Sequence, residues 1–502
     1  MYKLIDYTRR LNGVLIATSD GRWDLARVLV GMSILILGML YGMILATGVS
    51  LVYALVPLIA AVGLWMVFAA PEYAALALCG LRWGFIFDSF DHALNIQSPA
   101  VPLAILLLII VLSRRFGPQK RKLVGDPIAW LIVSYLIYVC MGVWYADFTG
   151  PVQGRIGDFT KDVLICLVIM NFLVSPVLFE RTIWLIVGIA ALLATLTIYQ
   201  EVTQTYDNSY WDLAKVKIAF IVDGQADRSR AGGPLGDPNF YGQIPVLAFP
   251  FALWLIFNGK TWLGKLGGGY ALLVLLGAIG LTYSRGTFLA FAVALIIYFF
   301  YFRFNPRYLL FMLPLAVVAY LAAPSDLKDR LSTLTELVPS NQTTTVSDTS
   351  FLGRSVEVAI ALNMFLDNPI LGVGADNYRP HYISYIREYG SAVEDKERNA
   401  HNFYLEIAAE HGVIGLSMVL SMIVLAFQYA HQARQTFLAA GNRRWADLSA
   451  CFQISFIGYL ITAIFLHGDY PRLFWIALAL AVGLRQAGQQ CLAEVKNTYE
   501  PR

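Results

Sequence analysis

Residues 268–303 read GGYALLVLLGAIGLTYSRGTFLAFAVALIIYFFYFR. Two apolar runs, 268–283 and 287–303, flank the short segment Tyr283-Ser284-Arg285-Gly286-Thr287, and Arg285 is the one charge before Arg303. Neither run alternates apolar with polar, so neither reads as a half-solvated strand. A helix of ~20 apolar residues crosses the ~30 Å hydrocarbon core of a bilayer. Inside that core every backbone N–H and C=O must be paired within the chain, which a helix does by itself. The same pattern recurs at 27–47, 51–70, 73–88, 100–113, 128–146, 161–177, 182–199, 241–257, 308–323, 412–430, 446–466 and 472–486. The expectation is an all-α polytopic membrane bundle of about 12–14 transmembrane helices. The short runs 73–88 and 100–113 fit least well, and one of them is a candidate re-entrant segment.

Composition agrees. Of 502 residues 58% are hydrophobic and 14% charged, and mean hydropathy is +0.61. Soluble domains carry about 25% charged residues. The shortfall excludes a soluble enzyme, a disordered chain and a nucleic-acid binder with a basic groove. Cys79, Cys140, Cys166 and Cys451 lie in apolar runs and Cys491 in the polar tail, with no C-x-x-C spacing. They read as small hydrophobes, with neither a disulfide framework nor a metal site. The first 26 residues show no cleavable signal pattern.

Lys and Arg placement orients the spans. Lys3, Arg9, Arg10, Arg22 and Arg27 precede the first. Arg114, Arg115, Lys120, Arg121 and Lys122 follow the fourth, Lys260 and Lys265 the eighth, Arg303 and Arg307 the tenth, and Arg434, Arg443 and Arg444 the twelfth. With fourteen spans these loops and both termini share one side, the cytoplasmic one. The long polar segments 200–240 and 324–411, and the loop His467-Gly468-Asp469-Tyr470-Pro471-Arg472, fall on the other. The chain then divides into a cytoplasmic segment 1–26, spans 27–199, a region 200–430 containing the outer loop 324–411, spans 431–486 and a cytoplasmic tail 487–502. In the loop, 354–367 reads as an amphipathic helix ended by Asn368-Pro369, and Pro380 as a first-turn residue of another.

Few ionisable residues lie deep in the runs, Arg82 being the main exception, whereas transporters place such groups at the midplane. Chemistry is therefore expected at the outer face, where three places stand out. Arg230-Ala231-Gly232-Gly233-Pro234-Leu235-Gly236-Asp237-Pro238-Asn239 sets an arginine beside a glycine-punctuated turn that lets backbone N–H groups approach an anion; the plain alternative is a surface arginine before a turn. Arg285 sits at the outer lip with almost no loop around it. It is either a snorkelling anchor or the partner of a lipid-borne anion. His401-Asn402 precedes a segment, 402–415, that looks helical. A histidine at a helix N-terminus is held neutral and can serve as a base; otherwise it is an ordinary loop histidine. Tyr378, Tyr382, Tyr385 and Tyr389 recur at helical spacing, fit either to stack on sugars or to pack their helix. Asn341-Gln342-Thr343 matches a glycosylation acceptor and reads as loop.

Together these segments resemble the O-antigen ligase and O-antigen polymerase superfamily of bacterial envelope glycosyltransferases. His401-Asn402, nine residues, Gly412, two residues and Gly415 match the ligase signature. Tyr283-Ser284-Arg285-Gly286 looks like the family's Ser-Arg-Gly segment, and Arg230 to Asn239 like its Arg-x-x-Gly…Asp-Pro-Asn segment. Gly353-Arg354 and Phe365 to Gly374 are similar to its large periplasmic loop. The resemblance covers roughly 200–430. It implies a GT-C-like fold in the bacterial inner membrane, with the active site facing the periplasm. The implied donor is a glycan on undecaprenyl diphosphate, and the implied acceptor a hydroxyl, that of lipid A-core for a ligase. Arg230 and Arg285 would bind the diphosphate and His401 would deprotonate the acceptor. Arg354, Asn239, Asn402 and Tyr378 are the implied substrate-binding residues. No acidic cluster suggests a metal, so a cofactor-free, metal-independent, inverting transfer is expected. The alternatives within the superfamily are a polymerase and a protein O-oligosaccharyltransferase. The alternative outside it is a lipid-linked oligosaccharide flippase, against which the shortage of midplane charge counts.

Overall fold

The computed structural model describes residues 62–94, 98–116, 125–218, 221–222, 225–226, 229–302, 349–388, 397–468 and 471–499. The expected spans 27–47 and 308–323, Asn341 and Tyr389 lie outside these residues. The chain forms two compact units, Met1–Ala70 and Pro71–Arg502. In the first, residues 62–69 are helical.

The order of the second unit is α1 (Pro71–Trp83), α2 (Ile86–Leu94), α3 (Ala100–Phe116), α4 (Pro127–Tyr145), α5 (Thr149–Phe172), α6 (Pro176–Thr203), β1 (Lys215–Ile218), β2 (Ile221–Val222), β3 (Gln225–Ala226), β4 (Ser229–Gly233), α7 (Pro238–Tyr241), α8 (Gln243–Asn258), α9 (Trp262–Thr282), α10 (Arg285–Tyr301), α11 (Thr349–Asp367), α12 (Tyr378–Glu388), α13 (Phe403–Ala439), α14 (Arg443–Thr462), a 3-10 turn (Ala463–Phe465) and α15 (Arg472–Tyr499). Among the described residues, six helices are long and apolar enough to cross a membrane. The protein is a polytopic helical membrane protein.

Local chemistry sets the helix starts. The Asp126 carboxylate accepts from Ile128 N at 2.9 Å, with Pro127 in the first turn of α4. Ser175 caps α6 before Pro176, Thr261 caps α9 and Ser284 caps α10. Each cap satisfies an N–H that the helix itself cannot. The interiors are apolar on every face, as expected where a helix is bounded by protein on one side and lipid on the other. Of the apolar stretch Pro238–Asn258, 83% is buried, which puts α8 at the centre, packed on α6, α9 and α14. Outward-facing Trp130, Ile137, Met141, Leu266, Leu273, Ile296, Phe300, Leu420 and Val424 are exposed, an apolar surface suited to lipid.

The two ends of the bundle differ. At one, Arg444 grips Glu180 with two bonds of 2.5 and 2.7 Å and donates through Nε to Asn258 O, while Arg485 reaches Asp126 at 3.3 Å. The other end gathers the turn after α4, the segment 229–242, the α9–α10 turn, residues 369–377 and 397–402 and the turn 463–468.

Several expectations are revised. The run 73–88 is two helices, because Phe85 takes a positive φ of 58° and Gly84 sits where a Cβ would stand 2.3 Å from Ile189 on α6. Arg82 is consequently not at mid-span but near the end of α1, paired with Asp88 and Asp162, each at 3.1 Å. Helix α5 starts at Thr149, well before its apolar run. Helix α15 continues without a break across 486–487, and Cys491 is buried rather than in a free tail. The long polar segment 200–240, given no secondary structure from sequence, carries two short strand pairs: β1 pairs antiparallel with β4, with Lys217 opposite Arg230, and β2 pairs with β3.

Candidate functional site

The β4 strand carries Arg230 towards the α9–α10 turn. Its Nε donates to Thr282 O at 3.0 Å, and its Nη2 lies 3.4 Å from Asn239 Oδ1 and 3.5 Å from Tyr283 O. The glycines make this approach possible. Gly233 has φ +53°, and a Cβ there would sit 2.2 Å from the Tyr241 ring. Asp237 then caps α7 by accepting from Asn239 N and Phe240 N. Burial pushes its carboxyl pKa up, but Lys217 at 3.1 Å and those N–H groups outweigh burial and hold it below the usual carboxylate value.

Half-buried Arg285 is the first residue of α10, directly after the Ser284 cap. It therefore combines a guanidinium with the positive end of a 17-residue helix. The α10 start packs on two neighbours. A Cβ on Gly286 would lie 2.9 Å from the Phe465 ring, and one on Gly242 2.0 Å from Thr287 Oγ1.

His401 precedes the Asn402 cap of α13, whose side chain accepts from Tyr404 N and Leu405 N, both at 3.1 Å. His401 has φ +45°. Its ring Nδ1 is 3.3 Å from Nδ1 of His467. The other side of His467 meets Phe240 edge to face, with centroids 4.9 Å apart. Gly468 is clamped: its N–H donates to the Glu406 carboxylate at 3.1 Å and its carbonyl accepts from Arg155 at 3.3 Å. The turn 463–468 is thus a hub. Phe465 touches the Arg285 helix, His467 touches His401, and Phe240 joins His467 to the segment holding Arg230 and Asn239.

Beside the hub lies a cavity of about 80 Å³, lined among others by Arg82, Arg155, Asp162, Glu406, Glu410 and Arg472. Arg472 pairs with Asp88 and lies over the Phe85 ring at 4.7 Å. Among the described residues no group of three or more His, Cys, Asp or Glu is placed to hold a metal ion.

Helix α13 is broken at Gly412, with φ 58° and ψ −163°, and the break is filled by residues 369–374. Val413 N donates to Pro369 O at 2.8 Å, Val373 N to Ala409 O at 2.9 Å and Gly374 N to Glu410 O at 2.9 Å. The crossing segment takes the carbonyls of Ala409 and Glu410 that the helix gives up. A Cβ on Gly412 would lie 2.3 Å from Ile370 O, and one on Gly372 2.3 Å from the Glu410 carbonyl carbon. The Tyr138 hydroxyl lies between Leu371 O at 3.0 Å and His411 O at 2.8 Å.

The sequence candidates are therefore distributed as follows. Arg230, Asn239, Arg285 and His401 surround the hub. Asn402 is engaged in capping. Tyr378 is buried, its hydroxyl donating to Glu357 O at 2.9 Å and its N–H to Glu410; with Tyr382, Ile360 and Met364 it forms a core. For Tyr378 and Tyr382 that is the packing alternative. Arg354 belongs to α11, and its side chain lies outside the description. His467, Arg155 and Arg472 were not singled out from sequence, and Glu406, which reads as a solvated helix face, is buried. The available signal for His467 and Arg472 was the short polar loop 467–472 on the same side as the other candidates.

Residues 270–420 match the family model described as O-antigen ligase. This stretch, which includes Arg285, His401 and both signature glycines, is similar to the O-antigen ligase family, in line with the resemblance carried by the motifs that fall within it. Arg230, Asn239 and His467 lie outside the matched stretch. No curated protein matches the chain.

Proposed function

We propose that the protein is a ligase-type glycosyltransferase. It moves a glycan from undecaprenyl diphosphate to an acceptor hydroxyl, that of lipid A-core, at the periplasmic face of the bacterial inner membrane. The observation that carries this reading is the gathering of His401, Arg230 and Arg285 around the turn 463–468.

In this reading His401 takes the proton as the acceptor oxygen attacks the anomeric carbon. The bond from that carbon to the diphosphate oxygen breaks, and the diphosphate leaves with the electron pair. Attack from the side opposite the leaving group inverts the anomeric centre. The negative charge that grows on the diphosphate needs preorganised donors, each worth about 3–4 kcal/mol in such sites. Arg285 with the α10 N-terminus supplies one set. Arg230, braced by Thr282 O and Asn239, supplies another. Guanidinium suits this role better than ammonium because its fork matches two phosphate oxygens at once. No step calls for a metal or cofactor.

The test uses purified protein in detergent, an undecaprenyl-diphosphate-linked oligosaccharide and lipid A-core. Wild type should form the glycan–lipid A-core product, and His401→Ala, inserted at normal levels, should form none. Near-normal transfer by that variant removes the assignment of His401 as base.

A further inference from the structure

We infer that His467 is a positioning residue for His401, fixing its tautomer so that the basic lone pair is on Nε2. This rests on the reading of His401 as the base.

The two rings meet through Nδ1 and Nδ1 at 3.3 Å. A bond between two neutral imidazoles needs one Nδ1–H donor and one Nδ1 acceptor. If His467 donates, His401 carries its remaining proton on Nε2 and its lone pair is spent on His467. Such a ring has no nitrogen left to take a proton from an acceptor hydroxyl. If His401 donates, its Nε2 is basic, and the imidazolium formed on proton uptake keeps the same Nδ1–H bond, now charge-assisted and stronger. Only the second arrangement is compatible with catalysis. It repeats the general logic in which a base is oriented by a third group, here with a neutral acceptor.

The acceptor ring is built into place. Phe240 closes on it edge to face at 4.9 Å, and the backbone one residue on is fixed by Glu406 and Arg155. His401 itself is held at a positive φ immediately before the Asn402 cap. Two histidines 66 residues apart are thus brought ring to ring by elements each anchored independently. Among the described residues, the charged groups anchored next to the pair include Glu406 from α13 and Arg155 from α5, both bound to Gly468, with Arg230 on Asn239 beside Phe240.

The test is the pH dependence of transfer from the undecaprenyl-diphosphate-linked oligosaccharide to lipid A-core by three variants. Activity falls on acidification as His401 protonates, so the acidic limb reports its pKa. His467→Asp puts an anion against the Nδ1–H, stabilises the imidazolium and should move the limb to higher pH. His467→Leu removes the acceptor and should move it to lower pH. A positioned base is worth about 10²–10⁴ in rate, so loss of its orientation should lower kcat about 10–10²-fold with KM little changed. His467→Asn can offer its Oδ1 where Nδ1 stood, and should recover most of the rate with a near-normal limb. A purely structural role would move all three limbs together or not at all, and either result overturns the inference. If His401→Ala remains active, the proposed function itself fails. If His401 is essential but the limbs stay fixed, only the role of His467 fails.

Discussion

Replacing Gly412 by alanine should unlock the crossing between α13 and residues 369–374. At φ 58° and ψ −163° the backbone is in a region open to glycine and costly for an L side chain, about 1–3 kcal/mol. The added Cβ would also lie 2.3 Å from Ile370 O and 2.4 Å from Ile370 C. These are backbone atoms, so no rotamer change relieves the contact. Moving the segment away weakens the three bonds Val413 N to Pro369 O, Val373 N to Ala409 O and Gly374 N to Glu410 O, each worth about 1 kcal/mol when made. Strain and lost bonds are two routes to relieve one clash, so the cost is the cheaper combination, about 3 kcal/mol, rather than their full sum. The assay is thermal unfolding of the purified protein in detergent. Gly412→Ala should unfold several degrees below wild type. Gly269→Ala on α9, where an added Cβ meets nothing within 4 Å, should be neutral or slightly stabilising. Equal midpoints for Gly412→Ala and wild type would refute the reasoning.

Two further expectations concern charge and topology. Arg285→Lys keeps the charge but loses the fork, so turnover should drop by about 10²–10³ if the side chain grips a diphosphate; wild-type turnover would return it to a snorkelling anchor. Arg230→Lys should lose less, measured in the same transfer assay, because its hairpin can readjust. Cysteines placed at Thr344 and Gln119 should label from opposite sides of the membrane, Thr344 from the periplasm, and labelling of both from one side would sink the orientation.

The helical, membrane-spanning character was legible in composition and run length because it is a local property. An apolar run of ~20 residues must be helical wherever the bundle places it. The helix start after His401 was legible for the same reason: Asn402 acts on N–H groups two or three residues away. The motif residues Arg230, Arg285 and His401 could be named from their order, and the stretch 270–420 that matches the O-antigen ligase model contains Arg285 and His401.

Tertiary structure decided everything that depends on separated segments meeting. The signature spacing from His401 to Gly412 and Gly415 contains no hint that Gly412 exists to admit Ile370. Nor does Asn368-Pro369 reveal that the residues after it replace helical donors on Ala409 and Glu410. Tyr378 has the same spacing whether it stacks on sugar or fills a core, and only its burial against Ile360 and Met364 separates the two. Arg82 looks like a midplane charge until the positive φ of Phe85 ends its helix beside Asp88 and Asp162. His467 meets His401 across 66 residues, and Tyr138 meets Leu371 across 233. Such pairings are set by how apolar helices pack against one another. Periodicity constrains which face a residue occupies, but not which distant residue comes to stand opposite it.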